Sequence, residues 1–358
     1  MNRPKHGGNP SWAATVAGCP PSLILDFSAS ISPLGPPKTA LAAIELHLDT
    51  IASYPNPAYP ELARSIATHH NIDPDWVLPG NGAAELLTWA GWEFSKLNTT
   101  LLPTPAFGDY WRSLQTFGTR IIARSMMMDD GAIGDLDFAL RHLPTAIPHS
   151  LGLIVNNPHN PTGQIWSQET ILSYLSEFEL VVVDESFMDF LPPDRQQSLI
   201  PAIAQHPNLV VLRSLTKFYS LPGLRLGYCI AHPDRLERWQ SWRDPWPVNT
   251  LATAAAIAVL GDTQFQQQTW DWLETARDRL FQGLSQIPGL QPYPGAANFI
   301  LVKSAQSATA IQTKLLQQHQ ILVRDCISFP ELGDRFFRVA VRTIAENDRL
   351  LTALQSLI

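Results

Sequence analysis

The sequence predicts an α/β protein with a mostly parallel central sheet, helices on both faces of that sheet, and a smaller α+β domain after it. Apolar runs rich in β-branched residues alternate with helical patterns through the middle of the chain, which is typical of strands buried on both faces. Beyond residue 247, shorter apolar runs lie between longer helical patterns. With 358 residues, the chain is long enough for two domains.

The pattern assigns the elements in order along the chain. The strands predicted for the central sheet are 99–102, 151–156, 180–184, 209–213 and 224–231. The helices predicted around them are 83–95, 108–117, 168–177 and 251–260. The smaller domain is predicted to contain helices over 263–286 and 307–319 and strands over 298–303, 321–324 and 336–342. Polar motifs follow several strands, and ligands of such sheets bind at the carboxyl ends of the strands, so we expect the functional site there.

Composition and charge argue against several classes of protein. The formal net charge of −7, without any basic run, argues against nucleic-acid binding. The three cysteines lie far apart, so the sequence predicts neither a disulfide framework nor a metal site. The N-terminus lacks the apolar core of a signal peptide, and no stretch reaches the ~18 apolar residues of a membrane span. A soluble, cytoplasmic protein is expected.

The most informative stretch is 209–228, where an apolar run leads to Lys217 in a hydroxyl-rich turn. Ser214 and Thr216 precede this lysine and Arg225 follows it, in a chain with six lysines. An amine at the end of a core strand, beside hydroxyls and a guanidinium, suits a lysine that forms a Schiff base next to a phosphate site. Pyridoxal 5'-phosphate requires both groups. The alternative is a surface lysine, with Arg225 in an ordinary ion pair.

Three further motifs at strand ends suit the same cofactor. In Gly80–Glu85, small residues let backbone N–H groups approach an anion at a helix N-terminus, although a plain turn has the same composition. In Asn156–Gly163, an asparagine held by a following proline can offer its amide to a phenolate oxygen, although turn chemistry alone also explains such a loop. Asp184 ends the most hydrophobic strand, where a carboxylate needs a partner such as a pyridinium nitrogen. A helix N-cap or a satisfied structural carboxylate is the alternative there.

Two aromatic and two basic residues are weaker candidates. Tyr110 can stack on a planar cofactor and Tyr54 lies in a proline-bounded loop, but most such aromatics are core residues. Arg338 lies in an apolar strand, where a guanidinium must meet an anion such as a substrate carboxylate or phosphate. Arg324 precedes Asp325, so a local ion pair competes with a role in binding.

Together, these motifs resemble the fold-type I pyridoxal-phosphate enzymes of the aminotransferase class I/II superfamily, which have the aspartate aminotransferase-like fold. The resemblance implies an N-terminal arm (1–35) that contributes to the small domain and the active site, a large cofactor-binding domain (36–247) and a small domain (248–358). It implies that Lys217 holds the cofactor and that Asp184 pairs with its pyridine nitrogen. The remaining cofactor contacts that it implies are Asn160 at O3', Tyr110 on the ring, Ser214, Thr216, Arg225 and the backbone of Ala83 and Ala84 at the phosphate, and Tyr54 at the phosphate of a neighbouring subunit in a homodimer.

Within the superfamily, the chain is most similar to histidinol-phosphate aminotransferases and threonine-phosphate decarboxylases. His6-Gly-Gly-Asn resembles a decarboxylase motif that folds over the substrate phosphate, and Phe187 stands where aminotransferases usually have a tyrosine that bonds the cofactor. In contrast, Ser30 and Ser32 replace two asparagines of the decarboxylase pattern. Serine is shorter than asparagine and can need a bridging water to reach the same ligand.

The resemblance therefore implies decarboxylation of threonine phosphate in cobalamin biosynthesis, with a histidinol-phosphate aminotransferase as the alternative. The substrate contacts expected from it are His6, Ser30, Asn160, Arg324 and Arg338. Arg342 is either a further contact or an exposed residue. A non-catalytic protein with the same fold would normally lack Lys217 or Asp184, and both are present here.

Overall fold

The computed structural model describes residues 3–128, 132–141 and 150–358. The α-helices in these ranges are α1 (Pro10–Ala17), α2 (Lys38–Leu46), α3 (Pro60–His70), α4 (Ala83–Phe94), α5 (Gly108–Thr116), α6 (Leu136–Leu140), α7 (Gln168–Leu172), α8 (Pro233–Trp242), α9 (Thr250–Leu260), α10 (Thr263–Ser285), α11 (Ala308–His319) and α12 (Ile344–Leu357). The strands are β1 (Leu25–Asp26), β2 (Val77–Gly80), β3 (Thr99–Thr104), β4 (Ile121–Ser125), β5 (Leu151–Asn156), β6 (Leu180–Asp184), β7 (Leu209–Ser214), β8 (Gly227–Ala231), β9 (Leu290–Pro292), β10 (Phe299–Ser304), β11 (Ile321–Leu322), β12 (Arg324–Asp325) and β13 (Phe336–Ala340).

A seven-stranded sheet in the order β2-β8-β7-β6-β5-β3-β4 forms the centre of the molecule. Its strand pairs are parallel except those of β8, which is antiparallel to both β2 and β7. The predicted mostly parallel sheet is therefore confirmed. Strands β6 and β7 are buried along their whole length, as expected for continuous apolar runs in a sheet covered on both faces.

Two edge strands and one strand boundary differ from the sequence prediction. Neither β2 nor β4 was predicted, since β2 ends in Pro79-Gly80 and β4 is a half-exposed edge strand. The strand predicted over 224–231 begins only at Gly227. Arg225 has a left-handed backbone conformation, with φ of 57°, which cannot continue a strand.

Helices cover both faces of the central sheet, and β6 shows how its side chains divide between them. Val182 packs in the apolar cluster that contains residues of α4, α5 and α8. Val181 and Val183 belong to the larger cluster with α3, α9 and α10. Because successive strand residues point to opposite faces, both faces are filled by apolar packing, and the strand ends carry the polar side chains.

A second, antiparallel sheet in the order β12-β13-β10-β9 contains the C-terminal strands. The N-terminal part of the chain lies beside it, because β1 pairs in parallel with β11 and the N–H of Ala340 donates to the carbonyl of Phe27 at 2.8 Å. Residues near both ends of the chain are therefore brought to the same side of the molecule. None of the helices in the described ranges is both long and apolar enough to cross a membrane.

Candidate active site

A cavity of about 420 Å³ opens at the carboxyl ends of β5, β6 and β7, where β12 and β13 approach the central sheet. The predicted site residues that line it are His6, Ser30, Ala83, Ala84, Tyr110, Asn160, Asp184, Ser214, Thr216, Lys217, Arg225, Arg324 and Arg338. Residues separated by more than 300 positions in the chain thus meet in one space. The position at the strand ends is the one expected for a parallel sheet.

Tyr54 is the predicted site residue that lies elsewhere. Its side chain is 77% exposed, and its ring stacks on Trp246 with the centroids 4.4 Å apart. An exposed aromatic pair of this kind is available to a second protein surface. The role of Tyr54 at a neighbouring subunit stays a prediction.

Lys217 follows β7 and directs its amine into the cavity. Its Nζ donates to Ser214 Oγ at 3.3 Å and lies 5.1 Å from the centroid of the Phe187 ring. Burial lowers the pKa of the Lys217 amine, and the positive charge of Arg225 acts in the same direction while Asp184 opposes it. A lowered pKa increases the fraction of neutral amine, which is the nucleophilic form.

The groups beside Lys217 form a cradle for an anion. Thr216 Oγ1 lies 2.8 Å from Ser214 Oγ, and helix α4 begins next to them at Ala83. A Cβ atom on Gly82, the residue before the helix, would lie 2.8 Å from a guanidinium nitrogen of Arg225. The backbone of Gly82 is also left-handed, with φ of 75°, a conformation that favours glycine. Hydroxyls, the free N–H groups of a helix start and a guanidinium together suit a phosphate dianion.

Asp184 is a buried carboxylate held by two neutral donors. The Ser186 N–H donates to Oδ1 at 2.9 Å, and the Tyr110 hydroxyl donates to Oδ2 at 2.7 Å. Among the described residues, no cationic side chain makes an ion pair with Asp184. A buried carboxylate without a cationic partner is expensive, so this group suits a ligand that supplies a positive charge.

Two asparagines connect Asp184 to the substrate side of the cavity. Asn156 ends β5 opposite Asp184 in the register of the sheet, and its Nδ2 donates to the Asp184 carbonyl at 2.7 Å. Its Oδ1 accepts from the N–H of Asn160 at 2.7 Å. The amide oxygen of Asn160 accepts in turn from Arg338. Its amide nitrogen is then the group from which a ligand oxygen can accept.

Arg324 and Arg338 are register partners on β12 and β13, and both are buried. The guanidinium of Arg338 lies over the Phe299 ring at 4.6 Å from the centroid. Burial lowers the pKa of Arg338 to about 10 and also lowers the pKa of Arg324. Two guanidiniums that have lost their hydration favour a ligand with two anionic groups.

The N-terminal segment closes the outer side of the cavity. Arg324 donates to the backbone oxygens of Pro4 and Lys5 and to Ser328 Oγ. Asp325 binds Arg3 at 3.0 Å, closer than its 3.7 Å contact with Arg324. The predicted local pair between Arg324 and Asp325 is therefore secondary, and Arg324 faces the cavity.

Two predicted substrate contacts line this outer side. His6 packs edge-on against Phe107 with the centroids 5.8 Å apart, and burial, followed by the charge of Arg324, lowers its pKa. Ser30 is 7% exposed, and its Oγ has no hydrogen-bond partner in the described structure. A buried hydroxyl that lines a cavity without a partner is a ready contact for a ligand.

The sequence prediction missed some residues that line the cavity, and Arg342, like Tyr54, lies outside the cavity. The sequence prediction did not select Asn156, Ser186 or Ser328 as site residues; Asn156 ends a buried strand just as Asp184 does, and this signal was sufficient to find it. Arg342 does not line the cavity, because its guanidinium binds Glu346 at 2.9 Å and the carbonyl of Asp26 at 3.1 Å.

Comparison with known proteins identifies the family. The family model for aminotransferase class I and II matches residues 24–354. The chain belongs to this family. It is 38% identical to the threonine-phosphate decarboxylase of Salmonella typhimurium, over 99% of this chain and 96% of that protein. It is 30% identical to a histidinol-phosphate aminotransferase of Methanothermobacter thermautotrophicus, over 94% of this chain and 89% of that protein.

Solved structures agree with the class I and II assignment. The crystal structure of the histidinol-phosphate aminotransferase from Clostridium acetobutylicum aligns with a TM-score of 0.84 at 27% identity, over 93% of this chain and 99% of that one. Enzymes of the family depend on pyridoxal 5'-phosphate. The buried Lys217 amine, the anion cradle at Gly82 and the uncompensated Asp184 carboxylate fit the aldehyde, the phosphate and the ring nitrogen of this cofactor.

Proposed function

We propose that this protein is a pyridoxal-phosphate-dependent decarboxylase that converts L-threonine O-3-phosphate into (R)-1-amino-2-propanol O-2-phosphate and CO2 in cobalamin biosynthesis. The observation that carries the proposal is the pair of buried guanidiniums of Arg324 and Arg338 in the cavity that contains Lys217. Threonine phosphate has a carboxylate and a phosphate, one anion for each guanidinium. The similarity to the Salmonella decarboxylase along the whole chain supports the same substrate.

Stereoelectronic control decides which bond of the substrate breaks. Once bound, the cofactor supplies an electron sink for the bond at Cα that stands perpendicular to its ring. Arg324 and Arg338, with Ser30 and His6 beside them, are placed to grip both anions and hold the Cα–carboxylate bond in that orientation. Such positioning by fixed side chains lowers the barrier without new chemistry.

Lys217 completes the reaction as a proton donor. When the Cα–carboxylate bond breaks, the carboxylate leaves as CO2 and Cα must take up one proton in its place. The Lys217 Nζ lies within the cavity, and its lowered pKa brings its acidity closer to neutral pH, where general acids are most effective.

Phe187 supports decarboxylation over transamination. Its ring lies 5.1 Å from Lys217 Nζ and 5.1 Å from the Phe299 ring, and it places no hydroxyl beside the amine. The resemblance to aminotransferases implies a tyrosine at this position, whose hydroxyl would bond O3' of the bound cofactor. A phenylalanine at this position removes that donor.

Aminotransferase activity on histidinol phosphate is the alternative. Ser30 and Ser32 favour it, because they depart from the decarboxylase pattern. In an aminotransferase, the two guanidiniums would bind the two substrates one after the other. Histidinol phosphate has a phosphate but no carboxylate, whereas its amino-group acceptor has two carboxylates. The same cavity therefore accommodates both reactions, and an activity assay must distinguish the decarboxylase from the aminotransferase.

The proposed enzyme is a cytoplasmic homodimer with an arm over 1–35, a large domain over 36–247 and a small domain over 248–358. Several large apolar side chains between residues 34 and 54 are exposed, among them Leu46 at 77% and Ile51 at 67%. They lie in the same part of the chain as Tyr54, whose exposed ring stacks on Trp246, and we infer that these side chains together form an apolar surface. A second copy of the chain would cover this surface and bring Tyr54 to its cofactor phosphate.

A substrate assay tests the proposed function. The cofactor-loaded protein is mixed with threonine phosphate, without any keto acid, and CO2 release is followed over many turnovers. Sustained release is expected. No release, together with conversion of histidinol phosphate once 2-oxoglutarate is added, would leave the aminotransferase. Lys217→Ala serves as the background control for both assays.

A further inference from the structure

The Tyr110 hydroxyl has a role separate from that of its ring. The ring lines the cavity and is placed to stack on a planar ligand, which needs no hydroxyl. The hydroxyl instead donates to Asp184 Oδ2 at 2.7 Å, across 74 positions of sequence. The other carboxylate oxygen accepts from the Ser186 backbone. Each carboxylate oxygen of Asp184 thus has one protein donor, and the donor to Oδ2 is the Tyr110 hydroxyl.

The phenol is a permanent donor in this position. Tyr110 is 2% exposed, and burial, followed by the charge of Asp184 and the hydrogen bond to it, raises the pKa of the phenol well above its usual value. The hydroxyl therefore keeps its proton at neutral pH and into the alkaline range. Its bond to a carboxylate without a cationic partner is charge-assisted, and such bonds are stronger than neutral ones.

We propose that the Tyr110 hydroxyl serves as the partner of the Asp184 carboxylate when the cofactor ring nitrogen is absent. It stabilises this carboxylate strongly in the cofactor-free protein and only weakly once the pyridinium has bound. The inference rests on the proposed function, because it takes pyridoxal phosphate as the ligand of Asp184. A pyridinium beside Asp184 neutralises the carboxylate, so the charge that strengthens the phenol bond is largely cancelled.

This difference has a consequence that a purely structural residue would not produce. If the hydroxyl stabilises the cofactor-free form more than the loaded form, it weakens cofactor binding. The binding free energy becomes less favourable by the difference between the two stabilisation free energies. Tyr110→Phe keeps the stacking ring and removes only the hydroxyl. The variant is therefore expected to unfold more easily without cofactor and yet to bind the cofactor more tightly. Tyr110 thus acts as a positioning residue, through Asp184.

The experiment uses the full-length protein stripped of cofactor, with pyridoxamine 5'-phosphate as the probe because it lacks the aldehyde and binds Lys217 non-covalently. Urea unfolding is measured with and without saturating probe, and the dissociation constant is measured by calorimetry. Tyr219→Phe is the matched control, since Tyr219 is also 2% exposed but its hydroxyl accepts from Gln266 Nε2 at 3.1 Å and does not line the cavity.

For Tyr110→Phe we expect a lower unfolding midpoint without probe, a smaller loss with probe, and a dissociation constant that falls by about tenfold, the effect of one buried charge-assisted bond. Tyr219→Phe should lose stability equally in both forms, with an unchanged dissociation constant. Equal losses in both forms of Tyr110→Phe, or no loss in either, would overturn the inference. If the unaltered protein bound no probe at all, the cofactor assignment would fail, and this inference with it.

Discussion

The two sides of the cavity differ in how their polar groups are satisfied. On the central-sheet side, Asn156 donates to the Asp184 carbonyl on the neighbouring strand, and the Asp184 carboxylate accepts from the Ser186 N–H. The hydroxyls of Ser214 and Thr216 bond each other. On the outer side, Arg324 is held by the backbone of the N-terminal segment, and the Ser30 hydroxyl has no protein partner. The polar groups on the sheet side are thus already positioned for the cofactor, which is the same in every turnover. The outer side leaves the Ser30 hydroxyl free to bind the substrate.

This contrast separates the roles of cofactor and substrate residues. A site built on strand ends is rigid, because each side chain is set by the register of a buried sheet. A site built on a terminal segment and two short strands is easier to vary. We therefore attribute the shared cofactor chemistry of the family to the sheet side and the choice of substrate to the outer side.

The largest effect is expected from Lys217→Ala, which removes the buried amine on the sheet side of the cavity. Turnover should fall by more than about 10⁴-fold, since general acid catalysis alone contributes about 10²–10⁴-fold. The visible absorption of the cofactor bound through this amine should disappear at the same time. Rates of both activities and the absorption spectrum check this. If the variant kept this visible absorption, another amine would have to bind the cofactor.

Arg338→Met and Arg225→Met form a matched pair across the cavity. Loss of one partner of a buried ion pair costs about 2–5 kcal/mol, so Arg338→Met should lower kcat/KM for threonine phosphate by about 30-fold to several thousand-fold while the cofactor stays bound. Arg225→Met should instead release the cofactor. Dialysis followed by cofactor assay, and steady-state kinetics at saturating cofactor, separate the two. A loss of cofactor in both variants would contradict the division between the two sides.

Phe187→Tyr tests whether the side chain next to the Lys217 amine determines the choice between decarboxylation and transamination. A hydroxyl near Lys217 Nζ adds one donor beside the reacting atoms, an effect of about 1 kcal/mol or several-fold in rate. The share of turnovers that end in amino transfer should rise by this factor relative to CO2 release. Product ratios with threonine phosphate, with and without keto acid, measure it. An unchanged ratio would remove Phe187 from the account of reaction type.

The pH dependence of cofactor loading tests the electrostatics of the sheet side. Because burial lowers the pKa of the Lys217 amine below the 10.5 of an ordinary lysine, the neutral amine is present at lower pH than for an exposed lysine. The loading rate of the stripped protein should rise with pH as the amine loses its proton, and the midpoint of this rise should lie below that value. Stopped-flow absorbance from neutral to alkaline pH measures it. A midpoint at or above the value of free lysine would contradict the burial of the amine.

Ser30→Ala should have the smallest effect. Removal of one uncharged hydrogen bond costs about 0.5–1.5 kcal/mol, so KM for threonine phosphate should rise by about two- to tenfold with the cofactor unaffected. Ser32→Ala is the control, since the Ser32 hydroxyl accepts from the backbone of Leu34 at 3.4 Å and does not line the cavity. Equal changes in both variants would mean that Ser30 does not meet the substrate.

The sequence was most informative where function depends on strand ends. Asp184 was predicted because it ends a buried apolar run, and Lys217 because it lies just beyond one. Asn160 was implied by the family resemblance, and the structure brings all three together. Local patterns could not predict the antiparallel direction of β8, which depends on its partners β2 and β7. Nor could they distinguish Arg338 from Arg342, four positions apart, because only the register with β12 decides which one faces the cavity.

Contacts between distant parts of the chain were also out of reach of the sequence. The bond between Tyr110 and Asp184 joins α5 to β6, and the Arg324 contacts join β12 to the N-terminal segment. Such pairs depend on how the helices and both sheets pack, and a single sequence carries no signal for them. Where a family motif was present, as at His6, the resemblance supplied the missing long-range information.

The central claim is that the residues around Lys217 direct cleavage to the Cα–carboxylate bond. Threonine phosphate with deuterium at Cα and ¹³C in the carboxyl group tests this directly when the products are analysed by mass spectrometry after turnover in ordinary water. We expect ¹³CO2 and an aminopropanol phosphate that retains the deuterium. Loss of the deuterium with the ¹³C kept in a keto acid would show that the Cα–H bond breaks instead, and would contradict the account.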